Sequence, residues 1–109
     1  MAISSRVNPS IPTDYHETGA WLASFVRSHA KREDSRIEVI LDMDGPREGH
    51  SYGVRLTLGI RVEPPGSSPI ELEYREVVEG RPRFAWCAGL GVRVQTVARA
   101  LLHTEPAAR

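Results

Sequence analysis

The chain has 109 residues, 40% of them hydrophobic, which suits one domain with a modest core around a single sheet and leaves no room for a second catalytic domain. Its 14 basic and 14 acidic side chains cancel, so no net field draws it to nucleic acid or to an anionic membrane, and any such binding is local. The one cysteine, Cys87, excludes an intramolecular disulfide and a multi-cysteine zinc site and fits a reducing compartment, with the cytoplasm as the expected location.

Arginine supplies all the basic residues but Lys31, a bias that fits a GC-rich genome as well as a need for planar donors. No stretch of eighteen apolar residues occurs, and the opening MAISSRVNPSIPTDY lacks the apolar run of a secretory signal, so a soluble protein without membrane association is expected. Residues 1–12, with Pro9 and Pro12 among small polar residues, read as an N-terminal arm, residues 13–105 as a single α+β domain and residues 106–109 as a tail.

The first helix starts at Thr13 or Asp14, with Glu17 placed for a reciprocal cap on Asp14 and Thr18 as a later start, because Gly19 weakens a helix interior. Trp21, Leu22, Phe25, Val26 and Ala30 repeat at helical spacing and form its buried stripe. The run KREDS ends it. The segment RIEVILD predicts a strand that buries Ile37, Val39 and Leu41.

From Tyr52 through Val54, Leu56, Leu58 and Ile60 to Val62 every second residue is apolar, which predicts one half-buried strand with Arg55 and Arg61 on its polar side. After the turn-forming EPPGSSP, Ile70, Leu72 and Tyr74 alternate with Glu71, Glu73 and Arg75 as an antiparallel third strand. Matched apolar parity places Arg61 opposite Glu71 or Glu73. Continued alternation would point Glu76 into the core, and a bulge near REVV that turns it outward is preferred, since an unpaired buried carboxylate is costly. A Glu76 held inside would instead be a functional group with a raised pKa.

RFAWC reads as a short fourth strand with Phe84 and Trp86 on one side, reached through the turn EGRP. The closing GLGVRVQTVARALLHTEP predicts a helix with Val94, Val97, Ala98 and Leu101 as its stripe, Arg93, Thr96, Arg99 and His103 off it, and Pro106 as the stop. Gly89 and Gly91 at its start, with Arg93 and Arg99 nearby, form a weak candidate anion site, against a plain strand-to-helix turn. The expected fold is therefore α+β and two-layered, an antiparallel sheet of three to four strands with an N-terminal and a C-terminal helix on one face, in the order α-β-β-β-β-α.

Two stretches resemble known families. VILDMDGP resembles the nucleophile motif of the haloacid dehalogenase superfamily, in which the first Asp is phosphorylated and the second handles the leaving group. Asp42, Asp44 and Gly45 match, but that family usually continues with Thr or Val, whereas this chain has Pro46 and Arg47. Its only lysine lies upstream, and an antiparallel hairpin follows in place of crossover helices. A strand ending in a turn is the expectation there. The same loop offers Asp42, Asp44, Glu48 and His50 as ligands to a divalent cation, but at the spacing of no calcium loop, and no metal or cofactor is expected.

The order α-β-β-β-α resembles double-stranded-RNA-binding domains, and GPREGHSYGVRLTLG is similar to that family's loop into its second strand, as GLGVRVQTVARALL is to the start of its last helix. The resemblance implies an RNA-binding module. Where the family carries paired lysines that grip phosphates, this chain has Gln95 and Thr96 or nearby valines, which leaves Arg93 and Arg99. Cys87, with His16, His29, His50 or His103 as base, is weighed against a small buried residue in the apolar context FAWCAG, and the buried reading is preferred.

The first choice is a small non-enzymatic interaction or adaptor protein whose partner is another protein or a second copy. It would bind through an outer sheet face patterned by Arg55, Arg61, Glu71, Glu73 and Arg75, or through an edge strand. RNA binding is the alternative, and a small enzyme using the Asp42 loop or Glu76 is third.

Overall fold

The structure is a computed structural model and describes residues 11–64 and 69–103. Residues 1–10, 65–68 and 104–109 lie outside the described residues, and with them most of the expected arm, most of EPPGSSP, the expected tail and the expected stop at Pro106. Helix α1 spans Tyr15–Glu33, strand β1 Glu38–Asp42, β2 Ser51–Leu58, β3 Arg61–Glu63 and β4 Ile70–Glu73, followed by a short helix α2, Tyr74–Gly80, and the long α3, Phe84–His103. The expected α+β class and antiparallel sheet are what the chain forms.

Central β2 pairs antiparallel with β1 along one edge, Val39 opposite Leu56 and Leu41 opposite Val54. Its other edge is shared. Strand β3 pairs beside Leu56–Leu58, and β4 pairs beside Ser51–Val54 with Tyr52 opposite Leu72 and Val54 opposite Ile70. Alternation along β2 sends Tyr52, Val54, Leu56 and Leu58 to one face, where they are buried with Leu72 and Ile70 under Leu22, Val26 and Ala30 of α1 and Leu90, Val94, Ala98 and Leu101 of α3. The expected α1 stripe splits, since Leu22, Val26 and Ala30 are buried and Trp21 and Phe25 pack half-buried against that core.

Several sequence expectations give way to stronger local physics. The strand does not run on to Val62. Gly59 adopts φ +65°, a backbone that glycine tolerates, and with Ile60 forms a two-residue hairpin that opposes Leu58 to Arg61. Ile60 is consequently 98% exposed, and parity inverts after the turn, so Arg61 and Glu63 share the helix-facing side with Leu58 and Leu56 while Val62 joins Thr57 on the outer face. Arg61 therefore does not oppose Glu71 or Glu73; Gly53 opposes Glu71 and Ser51 opposes Glu73.

The third strand stops at Glu73, because Tyr74 starts α2. Glu73 accepts the backbone N–H of Glu76, and Glu76 Oε1 accepts the Glu73 N–H at 3.4 Å, a reciprocal capping box. Glu76 is exposed at the third position of that helix, so neither a bulge nor a buried carboxylate is present. RFAWC is not a strand either. It forms the first turns of α3, where Cys87 and Leu90 extend the stripe of Val94, Ala98 and Leu101 backwards at helical spacing, and twenty residues of that period outweigh a three-residue alternation. Gly89 and Gly91 consequently sit inside α3 and not at its N-terminus, so the free amide hydrogens on which the anion-site expectation rested are not at these residues.

Candidate functional site

The Asp-x-Asp-Gly stretch builds an ion-paired staple across the outer sheet face. Strand β1 ends at Asp42, and a 3₁₀ turn, Gly45–Arg47, brings Arg47 back over the sheet. Its Nη1–H donates to Asp42 Oδ2 at 2.8 Å, and its Nη2–H and Nε–H donate to Glu71 Oε1 at 2.8 Å and Oε2 at 3.1 Å, joining both sides of β2. The guanidinium lies over Gly53, where a Cβ would come within 2.7 Å of Arg47 Nε, so the glycine is what lets it settle. Ser51 Oγ donates to Glu71 at 2.8 Å. These bonds, the Arg47 pair first, hold the Glu71 carboxyl below its ordinary range. Asp44 donates its backbone N–H to Asp42 Oδ1 at 3.0 Å and is itself exposed. Asp42 is thus committed to arginine, and among the described residues no three His, Cys, Asp or Glu side chains gather as a metal site.

A tyrosine cluster fixes the same end of the sheet to α1. Tyr15 stacks on Tyr52 with centroids 4.8 Å apart, its hydroxyl donates to Ser51 O at 2.6 Å, and Tyr52 donates to Tyr15 O at 2.8 Å. Burial, first among the causes, pushes both hydroxyls above their ordinary pKa. Asp14 occupies the N-cap position of α1, as expected, but its carboxylate takes the Tyr74 hydroxyl proton donor instead of a helix amide. Glu17, the expected reciprocal cap, holds Arg81 through two hydrogen bonds of 3.0 and 2.9 Å, and Arg81 lies 5.0 Å from the Trp21 ring.

The third arrangement is the first half of α3. Phe84 is 87% exposed and Val92 61%, with Ala85, Ala88 and Gly89 exposed between them. This face lies opposite the stripe that α3 buries, and from Phe84 to Val92 it carries no charge. Beside it Leu72, Ala85, Trp86, Gly89 and Leu90 floor a groove of about 260 Å³ with Glu76 and Arg93 on its walls. Trp86 Nε1–H points at Glu76 Oε2 from 3.5 Å. The groove thus combines an apolar floor and an aromatic wall with one charge of each sign at its edge.

The residues expected to bind a partner do not share one surface. Arg55, Glu71 and Glu73 lie on the outer sheet face, where Arg55 Nε–H donates to Pro64 O at 3.1 Å, Glu71 holds Arg47 and Glu73 caps α2. Arg61 turns to the helix side, and Arg75 sits in α2. Of the arginines weighed for phosphate, Arg99 is bound to Glu33 at 3.1 Å and Arg93 lines the Trp86 groove. The Cys87 thiol is half-buried, 3.4 Å from the Arg81 carbonyl, and His29 packs on Phe25 with ring centroids 4.3 Å apart.

Phe84, Trp86 and Val92 were not singled out by the sequence reading as a surface. The signal was present in the spacing of Phe84, Ala88 and Val92, each four residues on, but reading RFAWC as a strand hid it. With this geometry in view, the chain is a two-layer α+β domain, and no family model, no curated protein and no solved structure matches it.

Proposed function

We propose that the chain is a non-enzymatic protein-interaction domain that docks through the exposed first half of α3. The observation that carries this reading is the uncharged stripe of Phe84, Ala85, Ala88, Gly89 and Val92 beside the Trp86 groove, which an isolated small domain leaves in water at a cost. The carboxylates that the enzyme reading would use support it too, because Asp42 is ion-paired with Arg47 and Glu76 caps α2.

The test compares Val92→Glu and Phe84→Ser on α3 with Thr57→Glu on the outer sheet face, all at exposed or half-exposed positions that leave the core intact. Binding partners recovered from the native host are quantified with and without nuclease. Loss of a stoichiometric, nuclease-resistant partner from the α3 variants alone supports the reading. Partners that survive both α3 changes but fall with Thr57→Glu, or that vanish with nuclease and depend on Arg93 and Arg99, overturn it in favour of the sheet face or of RNA.

A further inference from the structure

We propose, resting on the docking reading above, that the occupant of this face is a second copy of the chain, its α3 laid antiparallel about a two-fold axis at Ala88 and Gly89. The first support is a glycine that the single chain does not explain. Gly45, Gly49 and Gly59 have positive φ, and a Cβ on Gly19, Gly53, Gly80 or Gly91 would come within 2.8, 2.7, 2.2 and 2.8 Å of Met43, Arg47, Trp86 and His29. Gly89 has neither reason. It sits in mid-helix, exposed, with nothing within 4 Å of the added Cβ, and costs roughly 1 kcal/mol of helix stability relative to alanine. A glycine flanked by Ala85 and Ala88 lets a second helix axis come to the short end of the roughly 8–10 Å range.

The second support is that the face complements itself. It is uncharged from Phe84 to Val92, so like meets like without repulsion. Trp86 and Arg93 lie on one flank of α3, about 10 Å apart along the axis, and Glu76 stands beside Trp86. An antiparallel two-fold pairing abuts the same flanks with their ends exchanged, which delivers each Arg93 to the partner subunit's Glu76 and indole. The self-pairing alternative at the β1 edge is disfavoured, because centring it on Ile40 would set Glu38 against the partner's Asp42. Each face offers one exposed aromatic ring, about 150–250 Å² when buried, among alanine, glycine and valine, and is smaller than a standard interface of about 1,200–2,000 Å². The dimer is therefore weak and reversible, with a Kd in the micromolar range or higher.

Sedimentation of the full chain across about 1 µM to 1 mM tests this. The expected result is a mass rising from 12.1 kDa toward twice that value. Gly89→Leu, whose Cβ has nothing within 4 Å in the single chain, and Arg93→Glu should each raise Kd at least tenfold, and adding Glu76→Lys to Arg93→Glu should recover most of that loss, with circular dichroism reporting the fold. A chain that stays monomeric at 1 mM, or a dimer indifferent to Gly89→Leu and Arg93→Glu, overturns the proposal. If the monomeric chain still loses a different partner on Val92→Glu, only the second copy falls; if Val92→Glu changes no binding at all, the docking reading falls with it.

Discussion

Removing Arg47 tests whether the staple across the outer sheet face stabilises the fold. The side chain is 23% exposed and its partners Asp42 and Glu71 are 42% and 48% exposed, so each contact is partly screened and is worth about 0.2–1 kcal/mol. Arg47→Ala loses both pairs, uncovers Gly53, and leaves two carboxylates facing each other across β2. Together these cost about 1–2 kcal/mol, a fall in Tm of roughly 5–15 °C for a domain of this size. Arg47→Met keeps an apolar stem over Gly53 and should lose about half as much. Thermal unfolding followed by circular dichroism at low salt and at 1 M NaCl separates the parts, because a Debye length of about 3 Å at 1 M shrinks the Coulombic share. The pH dependence has a defined sign. The Glu71 carboxyl is depressed chiefly by its hydrogen bonds to Arg47, so its contribution is complete above the ordinary value of 4.5 and disappears as pH falls through the lower folded value. The gap between the native chain and Arg47→Ala should therefore narrow below pH 4.5. A Tm unchanged within 2 °C, or a gap that neither salt nor acid reduces, refutes the reasoning.

One substitution at two neighbouring helix glycines should have opposite effects. Gly89→Ala, with open space around the new Cβ, should stabilise the chain by up to about 1 kcal/mol in urea titrations at low micromolar concentration, whereas Gly91→Ala, whose Cβ would meet the His29 ring at 2.8 Å, should gain nothing or lose stability. At alkaline pH the fold should be lost as tyrosine ionises. Tyr15, Tyr52 and Tyr74 all have pKa values raised above the ordinary 10.0, the first two mainly by burial and Tyr74 mainly by its bond to Asp14. The unfolded chain then releases protons first, and stability declines as pH rises past about 10. Tyr52→Phe should cost about 0.5–1.5 kcal/mol at pH 7 for the lost bond to Tyr15 O and should weaken this alkaline decline, read by absorbance at 295 nm beside circular dichroism.

Much of the architecture was legible because it rests on long, uninterrupted periodicity. Seven residues of alternation from Tyr52 to Leu58 marked β2, and the stripes of Leu22, Val26 and Ala30 and of Val94, Ala98 and Leu101 marked the two long helices. The errors fell where short signals competed with longer-range order. Ile60 and Val62 keep the parity of β2 by coincidence, and only the backbone of Gly59 reveals the hairpin. Tyr74 continues an alternation that the capping box of Glu73 and Glu76 ends, and that motif was hidden in a run of glutamates that also suits a strand. The misread start of α3 hid the alignment of the exposed Phe84, Ala88 and Val92 at helical spacing. The role of Asp42 was half legible: the turn after it was expected, but Arg47 reaching over Gly53 to Glu71 joins residues 24 positions apart and has no local signature.

Carbene footprinting of the full chain, alone from dilute to concentrated and then with any partner recovered, tests most directly whether α3 is the docking surface. The account predicts protection of Phe84, Ala88 and Val92 on association, while Ile40 and Val62 on the outer sheet face stay labelled to the same extent. Protection of Ile40 and Val62 with Phe84 still fully labelled would contradict it and return the interface to the sheet.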